Sequence, residues 1–248
     1  MAEKNSTFRG LGGMILAAGL GTRLKPWTDK HPKALATVNG KSLLQRNIEY
    51  LQQYNICNVV VNVHHFADQV INAVEQNKGW GSNITISDET NAVLETGGGL
   101  KKAAPYLKDS DCFILMNCDI LTDLDLSALI TYHQQEKPLA TLAVTNRKTS
   151  RYFLFNGNDE LCGWRNVSTG EEKISKEAKT YYQKAFSGIH VLSNKIFSLM
   201  PQEGKFSMID VYLSLAATET IKCFDHSDGK FIDAGKPESI EKAEELFA

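Results

Sequence analysis

From residue 14 to residue 145, short apolar runs alternate with segments of helical period, and few folds accept that order. MILAA (14–18), NVVVNV (58–63), ITIS (84–87), CFILMN (112–117) and LATLAVT (139–145) have strand length. NVVVNV is rich in β-branched residues, as a parallel strand covered on both faces should be. KSLLQRNIEYLQQY (41–54) puts Leu44, Ile48 and Leu51 on one helical face. FADQVINAVEQ (66–76), GGLKKAAPYL (98–107) and LDLSALITYHQQ (124–135) also read as helices. The alternation predicts right-handed βαβ units and an α/β, Rossmann-like, mainly parallel sheet flanked by helices. RYFLF, ELCGW and AFSGIHVL follow without full helices between them and predict a small antiparallel extension. Helices near 208–217 and 237–247 close the chain. With no internal repeat or Pro/Gly/Ser linker, residues 14–248 read as one domain and residues 1–13 as a flexible lead-in.

Composition narrows the partners. The chain is 42% hydrophobic and 23% charged, enough for a sizeable core and too apolar for disorder. Its net charge of -2, with no basic block, argues against nucleic acid as a partner. No run approaches the roughly 18 apolar residues of a membrane span. MAEKNSTFRGLGG (1–13) lacks the apolar stretch of a signal peptide. Cys57, Cys112, Cys118, Cys162 and Cys223 are odd in number and form no CxxC pair, which disfavours a zinc site or disulfide framework and points to a reducing cytoplasm. A monomer and a homodimer both stay open.

LAAGLGTRLKPWTDKHPK (16–33) leaves the first strand at its carboxyl end, where open α/β sheets bind ligands. Gly19 and Gly21 allow φ > 0 and close approach of backbone N–H groups to an anion. Arg23 offers paired hydrogen bonds to a phosphate, and Lys33 follows Pro32, which stiffens its approach. The pattern predicts a polyphosphate ligand. A dinucleotide fingerprint fits poorly: GLGTRL has two of the three glycines, and no helix follows at once. A Walker A loop fails because the residue five before Gly40-Lys41-Ser42 is Leu35. A solvated basic loop is the plain alternative.

Asp119 and Asp233 each close a short apolar strand, CFILMNC and KFI. Mg²⁺ takes one or two protein carboxylates plus phosphate oxygens and water, so the two suit a metal at the sheet edge, the alternative being ordinary turn residues. Asp123 and Asp125 suit capping of the following helix. In LETGGGL (94–100), Thr96 suits a helix cap, and Gly97–Gly99 would leave N–H groups bare toward a ligand, unless they form a plain turn. His64 and His65 have no third ligand nearby and read as polar loop residues. Trp164 suits either stacking on a sugar or filling the core.

The loop 16–33 resembles the signature of the sugar-1-phosphate nucleotidyltransferases, the NDP-sugar pyrophosphorylases. The resemblance continues in order through NVHH (62–65), LETGGGL, MNCD (116–119), FSGIHVL (186–192) and FIDAGKPESIEKAEE (231–245). Within that family, LETGGG in place of an LGTAGA-like version is most similar to bacterial N-acetylmuramate-1-phosphate uridylyltransferases of cell-wall recycling. The short length fits them too, whereas bifunctional N-acetylglucosamine-1-phosphate uridylyltransferases continue into a hexapeptide-repeat domain. The resemblance implies the nucleotide-diphospho-sugar transferase fold, Mg²⁺ as cofactor, and a nucleoside triphosphate and a sugar 1-phosphate as substrates. It implies that Ala17, Ala18 and Gly19 meet the base and ribose, and that Gly21, Thr22 and Arg23 hold the triphosphate. Lys33 would sit by the α-phosphate, giving Arg23 and Lys33 the catalytic charges. Glu95 and Thr96 would line the base pocket, Asn117, Ser187 and Gly188 the sugar, and Asp119 and Asp233 would hold the metal. The family usually has Gly before the metal aspartate; Cys118 stands here, so its side chain must point away from the ligand. Muramate adds a lactyl carboxylate, and NRKTSR (146–151) lies where a lid could reach it; Arg151 is the expected partner, with Arg147 and Lys148 as alternatives. Mannose-1-phosphate guanylyltransferase, glucose-1-phosphate thymidylyltransferase or uridylyltransferase, and a non-catalytic NDP-sugar-binding protein are the competing readings.

Overall fold

The computed structural model describes residues 10–248. The elements run β1 (Gly12–Leu16), β2 (Thr37–Val38), β3 (Lys41–Ser42), α1 (Leu43–Gln52), β4 (Asn58–Val63), α2 (Ala67–Gln76) and β5 (Asn83–Asp88). They continue through α3 (Glu95–Leu107), β6 (Cys112–Asn117), β7 (Ile120–Thr122), α4 (Leu126–Glu136), β8 (Ala140–Thr145), β9 (Arg151–Phe155), β10 (Leu161–Asn166) and β11 (Glu171–Ile174). The chain closes with β12 (Tyr182–Ser193), α5 (Ile196–Leu199), α6 (Met208–Leu215), β13 (Ile221–Asp225), β14 (Phe231–Asp233) and α7 (Pro237–Leu246).

The order β5-β4-β1-β6 is wholly parallel, as the βαβ pattern predicts. Successive residues of β1 and β4 alternate between the two faces. Ile15, Val59, Val61 and Val63 join one core with residues of α1, α2 and α4, while Met14, Leu16 and Val60 join a second core with α3 and α6. That two-sided burial is why these strands read as unbroken apolar runs. The expected strand 14–18 starts earlier, at Gly12, because glycines carry no β signal although both sit in the ladder beside Asn58 and Val59. Of the flexible lead-in expected at residues 1–13, residues 1–9 lie outside the described residues, whereas Leu11 is buried in the core and Gly12 and Gly13 belong to β1.

β12 departs from simple winding. It inserts antiparallel between β6 and β8, so β8 never touches β6, and β13 then pairs parallel with β8 on the far side. The first residues of β12 pair with β9, and β9-β10-β11 form the expected antiparallel extension. A separate two-stranded ribbon pairs β7 with β14 and sets Asp233 opposite Ile120. Asp125 caps α4 as expected, accepting from Ser127 N at 2.9 Å. Asp123 does not; its Oδ1 accepts from Lys230 N at 2.7 Å and ties the end of β7 to the residue before β14.

The triple glycine serves packing and not an open row of N–H groups. Gly97 N donates to Phe206 O at 2.9 Å, and a Cβ on Gly97 would lie 2.4 Å from the Phe206 ring. A Cβ on Gly98 would lie 2.1 Å from Gly204 O. Backbone cannot retreat as a flexible side chain can, so overpacking of about 1–3 kcal/mol or more is expected for Gly98→Ala. Gly157, with nothing within 4 Å of its built Cβ, is the control. A thermal melt should show Gly98→Ala well below the parent and Gly157→Ala beside it; coincident curves would contradict the packing role.

Candidate active site

The carboxyl ends of β1, β4 and β5 are tied by one row of hydrogen bonds. Ala17 N and Ala18 N donate to Asn62 Oδ1 at 2.7 and 3.4 Å. Asn62 Nδ2 donates to Glu89 Oε1 at 2.7 Å. Glu89 is 1% exposed, burial raises its carboxyl pKa, and Oε2 has no hydrogen-bond partner. Neither residue was expected from the sequence. Asn62 left a trace, a polar residue inside a β-branched run, whereas Glu89 left none. His64 Nδ1 donates to Glu89 O at 2.6 Å, so the expected loop histidine serves as a brace.

This row floors a cleft of about 390 Å³ lined by Ala18, Gly19, Arg23, Lys33, Glu95, Thr96, Asn117 and Asp119. Eight of the expected nucleotide, sugar and metal residues thus share one cavity, with Ala17 tied just beneath. Gly21 takes φ 63° and abuts Thr28 and Lys33, where a Cβ would come within 2.7 Å of Thr28 Cγ2. It therefore folds the loop so that Thr22 and Arg23 start a single 3-10 turn beside Lys33. Glu95 is held at φ 60° as α3 begins, a conformation disfavoured for a side chain and concentrated at functional sites. Thr96 lines the cleft but does not cap α3; its Oγ1 accepts from Met208 N at 2.9 Å and fastens α6.

Four charges meet at the cleft's inner end. Lys33 Nζ lies 2.8 Å from Asp119 Oδ2, and Arg23 reaches Asp119 at 3.6 Å and Asp233 at 3.4 Å. The β7–β14 ribbon and the bond from Ala234 N to Asp119 O, 2.8 Å, hold the two aspartates together. Burial opposes the Asp119 charge, but Lys33 and Arg23 outweigh it and lower the pKa. Burial likewise opposes the Lys33 ammonium, yet its neighbours, Asp119 and Asp233 among them, raise its pKa above the usual lysine range. Both groups therefore stay ionised. Cys118 turns into the core, 1% exposed, with its thiol pushed up by burial to about 12, so the residue before Asp119 leaves the cleft clear.

Arg23 and Asp233 also line a second, larger cleft of about 820 Å³, whose far wall holds Arg147, Lys148, Arg151, Tyr152, Trp164 and Phe186. Trp164 therefore faces the opening as well as packing on the core. Arg151 and Lys148 are exposed on this wall. Gly188 takes φ 75° where the β12–β8 register breaks, and a Cβ there would sit 2.7 Å from Asn117 Nδ2. The Ser187 side chain is not brought to either cleft. It is buried, and its Oγ shares a 2.7 Å hydrogen bond with His226 Nε2.

Two clefts that share Arg23, one beside a glycine loop and bordered by Asp119, the other bordered by Asp233, fit a protein that brings two phosphorylated ligands together. The family model described as nucleotidyl transferase matches residues 12–248, and the chain belongs to that family. The N-acetylmuramate alpha-1-phosphate uridylyltransferase of Caulobacter vibrioides is 31% identical over 95% of this chain and 96% of its own length. The mannose-1-phosphate guanyltransferase of Yarrowia lipolytica is 27% identical over 92% of this chain and 61% of its own. Among solved structures, HddC from Yersinia pseudotuberculosis complexed with GMP-PN has a TM-score of 0.76 at 26% identity, over 96% of this chain and 100% of that one. The α/β fold expected from the sequence is the fold of this family.

Proposed function

We propose that the chain transfers a uridylyl group from UTP to N-acetylmuramate 1-phosphate, giving the UDP-sugar and pyrophosphate, in recycling of cell-wall sugars. The observation that carries the reading is the meeting of Arg23, Lys33, Asp119 and Asp233 where the two clefts join. The smaller cleft suits the nucleotide. Its unpartnered Glu89 Oε2 can accept an N–H, which uracil N3 and guanine N1 offer and the ring nitrogen of cytosine does not. The larger, cationic cleft suits a sugar phosphate carrying a further carboxylate.

The residues also fit Mg²⁺. Asp119 and Asp233 are hard oxygen donors, and Gly235 puts no side chain between them: a Cβ there would lie 2.7 Å from Asp233 Oδ1, 2.9 Å from Asp119 Oδ2 and 2.7 Å from Arg23 Nη2. No cluster of three ligating side chains occurs among the described residues, so substrate phosphates and water would complete the set. When bound, Mg²⁺ supplies Lewis-acid neutralisation of the phosphates. Arg23 and Lys33 neutralise the triphosphate as the sugar phosphate oxygen forms its bond to the α-phosphorus and pyrophosphate departs. That nucleophile is already an anion at neutral pH, so no side chain need act as base. Positioning and charge carry the rate. The five unpaired cysteines support a reducing compartment.

Pyrophosphate release across UTP, GTP, CTP and dTTP with N-acetylmuramate, N-acetylglucosamine, glucose and mannose 1-phosphates tests the reading. UTP with N-acetylmuramate 1-phosphate should give the highest kcat/KM. A preference for GTP with mannose 1-phosphate would make the chain a guanylyltransferase, and no turnover at all would favour a binding protein. Arg151, exposed on the larger cleft and free of any carboxylate partner among the described residues, is the expected reader of the lactyl group. A charge-assisted hydrogen bond of roughly 1.5–3 kcal/mol corresponds to about 10- to 150-fold. Arg151→Ala should lose that factor in kcat/KM with N-acetylmuramate 1-phosphate and little with N-acetylglucosamine 1-phosphate. Equal losses on both would reject the assignment.

A further inference from the structure

We infer that Arg147 holds the phosphate of the acceptor sugar 1-phosphate, an assignment that rests on the reaction proposed above and adds the residue that receives the second substrate's charge. Arg147 stands on the loop leaving the carboxyl end of β8, on the wall of the larger cleft. It is half-buried, unlike Lys148 and Arg151 on the same segment. Two neighbours fix its plane. Nη2 donates to Phe186 O at 2.9 Å, and the guanidinium carbon lies 5.3 Å from the centroid of the Phe231 ring. Phe186 directly precedes the Ser187–Gly188 break in β12, and Phe231 lies two residues before Asp233. The guanidinium is thus gripped between the acceptor wall and the strand that carries one of the aspartates.

What it lacks is an anion. No carboxylate among the described residues lies within ion-pair distance of Arg147, and Nε is buried without a hydrogen-bond partner. Lys33, Lys184 and Lys222, three other cations withdrawn from solvent, are each paired with a carboxylate: Asp119, Asp225 and Glu136 respectively. A guanidinium carries five N–H donors, and Arg147 spends one on the protein. A desolvated, unpaired cation is costly to keep, and a ligand anion removes that cost.

The reaction requires such a group. A dianionic sugar phosphate must approach a triphosphate, and the approach is repulsive unless cations stand on both sides. Arg23 and Lys33 border the nucleotide cleft; Arg147 is the anchored cation of the acceptor cleft. Its fixed plane suits two parallel hydrogen bonds to one phosphate, which a lysine at that position would not reproduce. The exposed Arg151 suits the more distant carboxylate.

The test compares the parent with Arg147→Met and Arg147→Lys. Steady-state kinetics use N-acetylglucosamine 1-phosphate and N-acetylmuramate 1-phosphate with UTP, and calorimetry measures UTP binding alone. Arg147→Met should raise the acceptor KM by about 10- to 150-fold, equally for both sugars, with UTP affinity and melting temperature unchanged. Arg147→Lys should recover part of the loss, because charge returns without the fork. An unchanged acceptor KM overturns the assignment. So does an equal fall in UTP affinity, which would give Arg147 to the triphosphate, or a loss confined to the muramate, which would give it to the lactyl carboxylate. If the parent turns over neither sugar, the proposed reaction fails by itself. Calorimetric binding of N-acetylglucosamine 1-phosphate in the presence of UTP then decides: binding lost in Arg147→Met supports the phosphate site, and binding retained, or absent in the parent, overturns it.

Discussion

Asp119→Asn is expected to lower kcat by about 10²–10³-fold or more, the range for losing one preorganised charge at a reacting centre. Asparagine keeps the shape and the bond-accepting oxygen and removes only the charge. Asp119 is the hub of the quartet, since both Lys33 and Arg23 reach its Oδ2. Its side chain is 6% exposed against 34% for Asp233. Water screens a buried charge less, so Asp233→Asn should cost less than Asp119→Asn. A second readout separates metal binding from general damage. Mn²⁺ affinity measured in the presence of UTP should fall in Asp119→Asn while the melting curve stays cooperative. Chelation by EDTA should abolish turnover in the parent. Full activity in EDTA, or a variant with unaltered dependence on Mg²⁺, would remove the carboxylates from the proposed role.

The parallel half was legible because burial on both faces writes itself into a strand. NVVVNV and CFILMN have no polar face to hide, and the helices between them keep a clear period. β12 was legible as a strand but not as a neighbour. Its antiparallel insertion between β6 and β8 is a long-range pairing, and nothing in AFSGIHVL names its partners. β13 and β7 are five and three residues long, too short for a period to declare itself.

The cleft followed the same division. Gly21, Arg23, Lys33 and Asp119 belong to a contiguous loop and a strand end, where residue types alone suggest chemistry. The glycines of LETGGG show how far residue type misleads, since bare N–H groups and close packing both call for glycine. The 2.1 Å approach of Gly204 O to a Cβ on Gly98, and the 2.4 Å approach of the Phe206 ring to one on Gly97, tell them apart. Glu89 and Arg147 were harder. Each owes its standing to an absence, an oxygen without a donor and a guanidinium without an anion, and an absence has no letter in a sequence.

Lys33→Ala is expected to cost more turnover than Arg23→Ala, although arginine is the stronger phosphate ligand in isolation. Both charges should matter, each by at least about tenfold and up to about 10³-fold. Exposure sets the order. The Lys33 side chain is 14% exposed and that of Arg23 is 52% exposed. The same charge acts through a lower effective dielectric at Lys33, and salt screens it less. Lys33 is also placed by the loop itself. Gly21 packs against its stem, and its ammonium lies 3.9 Å from a Cβ built on Gly19, beneath the backbone that would face the triphosphate. Arg23 can be partly replaced by solvent and counterions; Lys33 cannot. The rate of Arg23→Ala relative to the parent should therefore fall less at high salt than at low salt, because salt already weakens the parent's Arg23, while the Lys33→Ala deficit stays nearly constant. Single-turnover rates at two ionic strengths measure both. Equal deficits in the two variants, moving together with salt, would show that exposure does not rank these charges.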